Sequence, residues 1–215
     1  MRKLLGILSV CVMSLIYVVP ASADWGAGLT LQAGTYETDG SETEKTVTGV
    51  TSETTNHSEK ESFYGASVYV EKEFSNGFVV GLDYVPMSIE LGSGSRTDAD
   101  AGNASDQDGT RTAKAEIDDL ITIYTHVPLG PVYLLLGYHD ATATTTETLP
   151  TSSYGDVTIN GYQYGLGMKN DHVKFEVAYS DFDEVSITGT GSGETNQNSV
   201  KADADALAFR VSFGF

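Results

Sequence analysis

The stretch Leu207-Ala208-Phe209-Arg210-Val211-Ser212-Phe213-Gly214-Phe215 decides how the rest of the chain is read. Its odd positions are Leu, Phe, Val, Phe and Phe, and its even positions are Ala, Arg, Ser and Gly. Strict period-two alternation marks a strand whose two faces meet different surroundings. One face is apolar and rich in rings, while the other carries a full charge at Arg210. Such a strand either packs one side on a water-soluble core or turns that side to lipid.

The same alternation recurs along the chain. The spacing predicts strands over 25–38, 61–74, 78–91, 114–127, 132–146, 156–169, 173–188 and the closing segment. The outward rows are Leu29 and Leu31; Tyr64, Val68 and Val70; Val80 and Leu82; Ile117, Ile121 and Ile123; Leu134 and Leu136; Tyr164 and Leu166; and Phe175 and Val177. Opposite them lie Gly, Thr, Ser and charged residues, as in Gly161, Gln163, Gly165 and Gly167. Connections alternate in length. Segments 39–60, 92–113, 147–155 and 189–203 are polar and read as loops, while Ser75-Asn76-Gly77, 128–131 and 170–172 are tight turns. Asn-Gly suits a hairpin because both residues tolerate positive φ. Pro86 lacks a ladder donor and marks a bulge or a frayed outer end of its strand.

Eight strands with every second connection short predict an all-β fold. The specific expectation is an eight-stranded antiparallel up-and-down transmembrane β-barrel with short periplasmic turns and long extracellular loops. A soluble eight-stranded barrel would enclose its apolar rows and leave few glycines inside. The polar rows here suit a hydrophilic lumen better.

The first 23 residues read as an export leader. Arg2 and Lys3 precede an apolar run over 4–19, and Ala21-Ser22-Ala23 offers the small residues that signal peptidase requires. Two regions follow, a signal peptide at 1–23 and a barrel domain at 24–215. The lone cysteine, Cys11, lies in the leader, and Val10 before it fits a lipoprotein signal poorly. An exported chain without disulfides takes its stability from packing or from the membrane. The formal charge is −18, and losing Arg2 and Lys3 makes it −20. Such acidity argues against nucleic acid as a partner, since phosphates demand a cationic patch.

The leader, the eight-strand rhythm and the Phe213-Gly214-Phe215 ending together resemble the small outer-membrane barrels of the OmpX, opacity and OmpA transmembrane-domain type. The resemblance is one of pattern and spans the chain after the leader. It implies residence in the outer membrane of a Gram-negative bacterium, among lipid and lipopolysaccharide, as a monomer. It also implies that Phe213 and the terminal Phe215 serve as the signal read by the barrel assembly machinery. Unrelated functions share this scaffold, so activity must be sought in particular residues.

Five charged residues face the predicted lumen: Arg210, Glu176, Lys174, Asp83 and Glu71. An eight-stranded barrel is just wide enough for side chains to fill it, and charges enclosed there must pair. The expectation is a network centred on Arg210 with Glu176 and one of Asp83 or Glu71. A gated ion path is the alternative use of the same charges. Asp98, Asp100, Asp106 and Asp108 cluster in one external segment and are weak candidates for a divalent cation, because their spacing departs from calcium-loop patterns. A solvated anionic crown is the plainer use. No cofactor is implied.

Catalysis on lipid A would need a histidine beside a nucleophile and an orienting group. His57 sits in a polar segment, His126 lies beside a turn and His172 within one, and His139 and Asp140 point to opposite faces, so no enzyme is expected. The outer rings form two bands, with Tyr64, Tyr84, Tyr138, Tyr162 and Tyr179 toward the loop side of their strands or near mid-strand and Phe74, Phe78, Phe175, Phe213 and Phe215 by the turns. Such bands mark the two interfaces of a bilayer. The leading expectation is surface display or adhesion through acidic loops. A narrow porin-like channel comes second, and a lipid A-modifying enzyme is a distant third.

Overall fold

The computed structural model describes residues 25–45, 51–98, 109–148, 152–170, 172–191 and 199–214. Its elements are β1 (Trp25–Lys45), β2 (Thr51–Glu73), β3 (Val79–Val85), β4 (Ile89–Asp98), β5 (Gly109–Leu129), β6 (Val132–Glu147), β7 (Ser152–Ser153), β8 (Val157–Lys169), β9 (Val173–Thr188), β10 (Thr190–Gly191) and β11 (Ser199–Gly214). Each barrel strand pairs antiparallel with its chain neighbour. The ring closes where β1 meets β11, with Leu29 opposite Phe213 and Leu31 opposite Val211. β3 and β4 both pair with β5 and form one stave, interrupted at Pro86-Met87-Ser88. That makes eight staves, and β7 and β10 add a two-stranded ribbon outside them. Closing β1 on β11 turns the sheet into a ring, the arrangement by which strands satisfy their backbone groups in lipid.

The tight ends are built as their residues dictate. Gly77 takes φ +80° and donates to the Phe74 carbonyl at 2.8 Å, while Gly130 takes φ +75°. Asn170 Oδ1 accepts from the backbone N–H groups of His172 and Val173.

Polarity is inverted across the middle of the wall. Leu29, Leu31, Leu166, Val177, Leu207 and Phe209 are each about half exposed on the outside. Inside, Thr30, Ser67, Asp83, Lys174, Glu176, Arg210 and Ser212 are buried. The outward apolar rows run from Trp25 to Ala33 on β1 and from Leu207 to Phe213 on β11. Roughly seven to nine residues at ~3.3 Å each suit a membrane-spanning strand of ~9–11 residues. Apolar side chains face lipid and polar ones are enclosed.

The structure corrects four expectations. First, much of the supposed loops at 39–60, 92–113 and 189–203 is strand. β1 and β2 stay in register up to Glu44 opposite Glu53, β4 and β5 run to Asp98 and Gly109, and β11 begins at Ser199. Both faces of these extensions meet water, so no apolar alternation is needed. Threonine, β-branched yet polar, favours the extended backbone there.

Second, Ile117 does not face lipid. A bulge between Asp118 and Ile121, with Asp119 at φ +54°, shifts the phase of β5. Ile117 is 4% exposed and lies in an interior cluster, while Glu116 joins Lys114 and Glu90 on the opposite face. Third, Tyr84 is buried rather than part of the outer ring band, and its hydroxyl donates to Asp119 Oδ1 at 2.9 Å.

Fourth, the lumen is not polar throughout. Val85, Ile117, Leu120, Ala141, Ala143, Ile159 and Phe182 form an apolar cluster in its upper part. At that height the outside carries Asp140 and Asp181, which are exposed. Beyond the lipid belt the wall stands in water, and the ordinary rule of apolar inside and polar outside returns.

Candidate functional site

The inverted middle of the barrel holds its charges in two groups, both reached by inward rows of neighbouring staves. Arg210 on β11 stands opposite Glu176 on β9 in the ladder. Its Nη1 lies 3.3 Å from Glu176 Oε2, and its Nη2 donates to Asp83 Oδ2 at 3.0 Å on β3. All three side chains are 7% exposed or less. Secondary partners fix the carboxylates. Ser67 Oγ donates to Asp83 at 2.9 Å, and Tyr133 OH donates to Glu176 Oε1 at 2.9 Å. Gln163 Oε1 accepts from Arg210 Nη1 at 3.3 Å. Charge pairs removed from water cost several kcal/mol per ion unless such hydrogen bonds complete them.

The second group is Lys174 with Glu71. Lys174 Nζ donates to Glu71 Oε2 at 2.7 Å and sits 3.8 Å from the centre of the Tyr69 ring. Tyr124 OH donates to the same carboxylate at 2.6 Å. Glu71 therefore belongs to Lys174, and Asp83 is the carboxylate that Arg210 reaches across the lumen. His126 lies between the groups, stacked on Tyr133 with centroids 4.2 Å apart. Its Nε2 is 3.3 Å from Glu176 Oε1, yet among the described residues neither ring nitrogen has a partner in hydrogen-bonding geometry.

Together with Leu135 and Val79, both almost fully enclosed, these rings and ion pairs fill the cross-section on the turn side. Glycine makes the filling possible. A Cβ at Gly167 would stand 2.4 Å from Tyr133 Cζ, and one at Gly81 would stand 2.3 Å from Tyr124 Cζ. The tyrosines lie across strands that carry no side chain there.

The alternation puts Tyr69, Tyr124, His126, Tyr133 and His139 on the same rows as the lumen charges, but nothing in the sequence gives them a task. Their partners come from other strands, which only the barrel brings near. His139 shows this well. Its Nδ1 is 2.8 Å from Thr122 Oγ1 and its Nε2 is 2.9 Å from Ser180 Oγ. The cross-strand register of Thr122 with His139 was the available signal. Among its described partners no carboxylate stands at Nδ1 to stabilise an imidazolium, the part a serine-histidine-acid arrangement needs.

Outside the lipid belt the charges are solvent-facing. Lys114 Nζ lies 2.8 Å from Glu116 and 3.2 Å from Glu90. These hydrogen bonds hold the lysine above its ordinary range, and the one from Lys114 holds Glu90 below its own. Asp100, Asp106 and Asp108 lie outside the described residues, as does Phe215. Asp98 ends β4. Phe213 faces outward, opposite Leu29 and Val173.

A ring of eight antiparallel staves that closes where β1 meets β11, apolar outside and ion-paired within, defines a transmembrane β-barrel of the small outer-membrane class. Solved structures similar to this chain include Ail, the attachment invasion locus protein of Yersinia pestis, in complex with the heparin analogue sucrose octasulfate. It is 14% identical with a TM-score of 0.39, covering 89% of this chain and 99% of that one. Another is the outer membrane protein OprG of Pseudomonas aeruginosa, 15% identical with a TM-score of 0.48, covering 88% and 96%. A third is Neisserial surface protein A, 12% identical with a TM-score of 0.37, covering 86% and 97%. No family model matches the chain, and no curated protein matches it in sequence.

Proposed function

We propose that this barrel is a closed anchor that displays stiff acidic hairpins at the cell surface in an adhesion-type role. One observation carries the reading. β1 has 21 residues and β2 has 23, about twice what a bilayer needs, and they remain paired to their ends. Roughly ten residues of each stand beyond the belt, on the order of 30 Å of ladder. That part carries Glu37, Asp39, Glu42, Glu44, Glu53, Glu59 and Glu61 against Lys45 and Lys60. A surface so charged meets cationic partners first. The buried ion pairs below support an anchor rather than a conduit. Export by the 1–23 leader, recognition of Phe213 and Phe215 by the assembly machinery, contact with lipopolysaccharide and a monomeric state belong to the same proposal.

The test replaces residues 39–58 with a two-residue Asn-Gly turn and compares cells displaying either form. The shortened barrel is expected to keep its mobility shift on boiling, and the cells are expected to lose adhesion to polylysine-coated beads. Equal adhesion by both forms overturns the display reading. Planar-bilayer recordings are expected to show no discrete openings, and regular openings would favour the narrow channel instead.

A further inference from the structure

The upper wall of the barrel is split between β2 and β4. β2 pairs with β3 from Glu73 only as far as Val68, which stands opposite Tyr84. After the break at Pro86-Met87-Ser88 the stave continues as β4, and among the described residues no ladder joins β4 to β2. β4 is paired to β5 on one side, and β2 above Val68 to β1 on one side. Two strand edges therefore face each other, one from Ser67 to Thr51 and the other from Ile89 to Asp98. The 10 residues of β4 give the split a length on the order of 30 Å. Side chains reach across it in place of backbone. Glu59 Oε2 lies 2.8 Å from where a Cβ on Gly92 would stand, and Met87 Sδ lies 3.8 Å from the same point on Gly65. At Gly94 nothing lies within 4 Å of that point.

A single wet edge is ordinary, and natural sheets protect theirs with charge, twist or cover. Two edges facing each other form a slot, into which each strand presents the N–H and C=O of every second residue. The side chains beside the slot set the chemistry of what enters it. Glu59 and Glu61 lie on the row of β2 that continues into the buried Ser67 and Tyr69, and Glu90 on β4 stands opposite Glu116 on β5. Tyr36, buried on β1 opposite Glu61, registers how closely these carboxylates gather. Burial first, and then the charges of Glu61, Glu59 and Glu90, push its hydroxyl up to about 12. Against the four carboxylates the described contacts set Lys114, shared by Glu90 and Glu116, and His57, 3.9 Å from Glu59. The other row of β2 differs. It carries Ser58, Lys60 and Ser62, with Lys60 held by Glu37 at 2.9 Å.

We propose that the split takes up an extended cationic segment of a partner polypeptide, which adds to the free edge of β2 as an extra strand. Backbone pairing supplies the attachment, as in other strand additions to an exposed sheet edge, and the carboxylates select the side chains. The selection has a period of two. Side chains on the row of Glu59 and Glu61 are Lys or Arg, and those between them, which meet Ser58, Lys60 and Ser62, are uncharged. An acidic segment would bring like charges together on that row, which is destabilising. The inference rests on the display reading and gives its cationic partner a form, a peptide strand rather than a diffuse positive surface.

The experiment uses the full-length protein refolded into phosphatidylcholine nanodiscs, with empty nanodiscs as the reference. The probes are a ten-residue peptide alternating Lys and Thr, its fully N-methylated form, and the same peptide with Glu for Lys. Calorimetry is expected to show one saturable site for the first, with the other two at least tenfold weaker. Hydrogen exchange is expected to slow at least tenfold at alternate amides of β2 between Ser58 and Ser67, and to stay unchanged in β9. Combining Glu59→Gln, Glu61→Gln and Glu90→Gln weakens the peptide at least tenfold, and Glu61→Gln alone, an exposed site, weakens it about threefold. Both variants are checked for the mobility shift on boiling. Equal binding of the N-methylated form would reduce the effect to charge alone and overturn the proposal. So would binding without new amide protection, or no binding above empty nanodiscs. Amides of that edge already as slow as those between β1 and β11 would also overturn it, because the chain itself or a second copy would then fill the split. Cells that hold polylysine beads while the purified barrel ignores the alternating peptide would sink this inference and leave the display reading standing.

Discussion

Replacing Arg210 with Met keeps the aliphatic stem and removes the one cation that holds two enclosed carboxylates. Asp83 and Glu176, with side chains 5% and 3% exposed, are then left without their counter-charge. Breaking a buried pair by deleting one partner costs about 3–5 kcal/mol. Two orphaned carboxylates do not double this figure here. Ser67 still donates to Asp83 and Tyr133 to Glu176, so about 3–4 kcal/mol is expected. The assay is urea unfolding of the barrel in lipid vesicles, read by the mobility shift and by Trp25 fluorescence.

A second variant isolates the cause. Adding Asp83→Asn and Glu176→Gln to Arg210→Met removes the stranded charge and should return the barrel to within about 1–2 kcal/mol of the parent, since neutral replacement of a buried ionic group is often harmless. No conductance is expected in either variant, because Tyr69, Tyr124, Tyr133 and Leu135 still fill the section. A loss below about 1 kcal/mol for Arg210→Met alone would refute the reasoning, since it would show those charges solvated rather than enclosed.

Other perturbations test separate parts of the fold. Gly167→Ala drives a methyl into the Tyr133 ring and should cost about 1–3 kcal/mol, whereas Gly94→Ala, with nothing within 4 Å, should change stability by under about 0.5 kcal/mol in the same urea assay. Asp119→Val places a β-branched residue at φ +54° and removes the acceptor of Tyr84, so a loss of about 2–4 kcal/mol is expected, and an unchanged midpoint would argue against the bulge. Lys174→Met strands Glu71 beside Tyr69 and Tyr124 and should cost about 2–4 kcal/mol. That loss should fall to about 1 kcal/mol or less when Glu71→Gln is added, as a double-mutant cycle would report.

Much of this barrel is written locally. The alternation from Leu207 to Phe215, the Asn76-Gly77 hairpin and the glycines on the row of Gln163 set strand positions, turn position and which face meets lipid, because a period of two is a property of neighbours in the chain. What the local pattern could not carry falls into two kinds. Further out than the enclosed apolar cluster, water on both faces removes the alternation, so paired strands such as those at Thr43 and Thr54 read as loop. One residue in the αL conformation at Asp119 then reverses the facing of Ile117, and no composition signal announces it.

The second kind is partnership. The sequence determined that Arg210, Lys174, Asp83, Glu71 and Glu176 share the enclosed side of the wall, but not which carboxylate meets which cation. Asp83 and Arg210 are 127 positions apart and stand on staves that are not adjacent in the ring. Their 3.0 Å contact exists only because closing the sheet brings opposite walls within one side chain's reach. Facing is a local property of the extended backbone, whereas pairing across a lumen depends on the curvature and stagger of the whole ring, and only the tertiary structure fixes those.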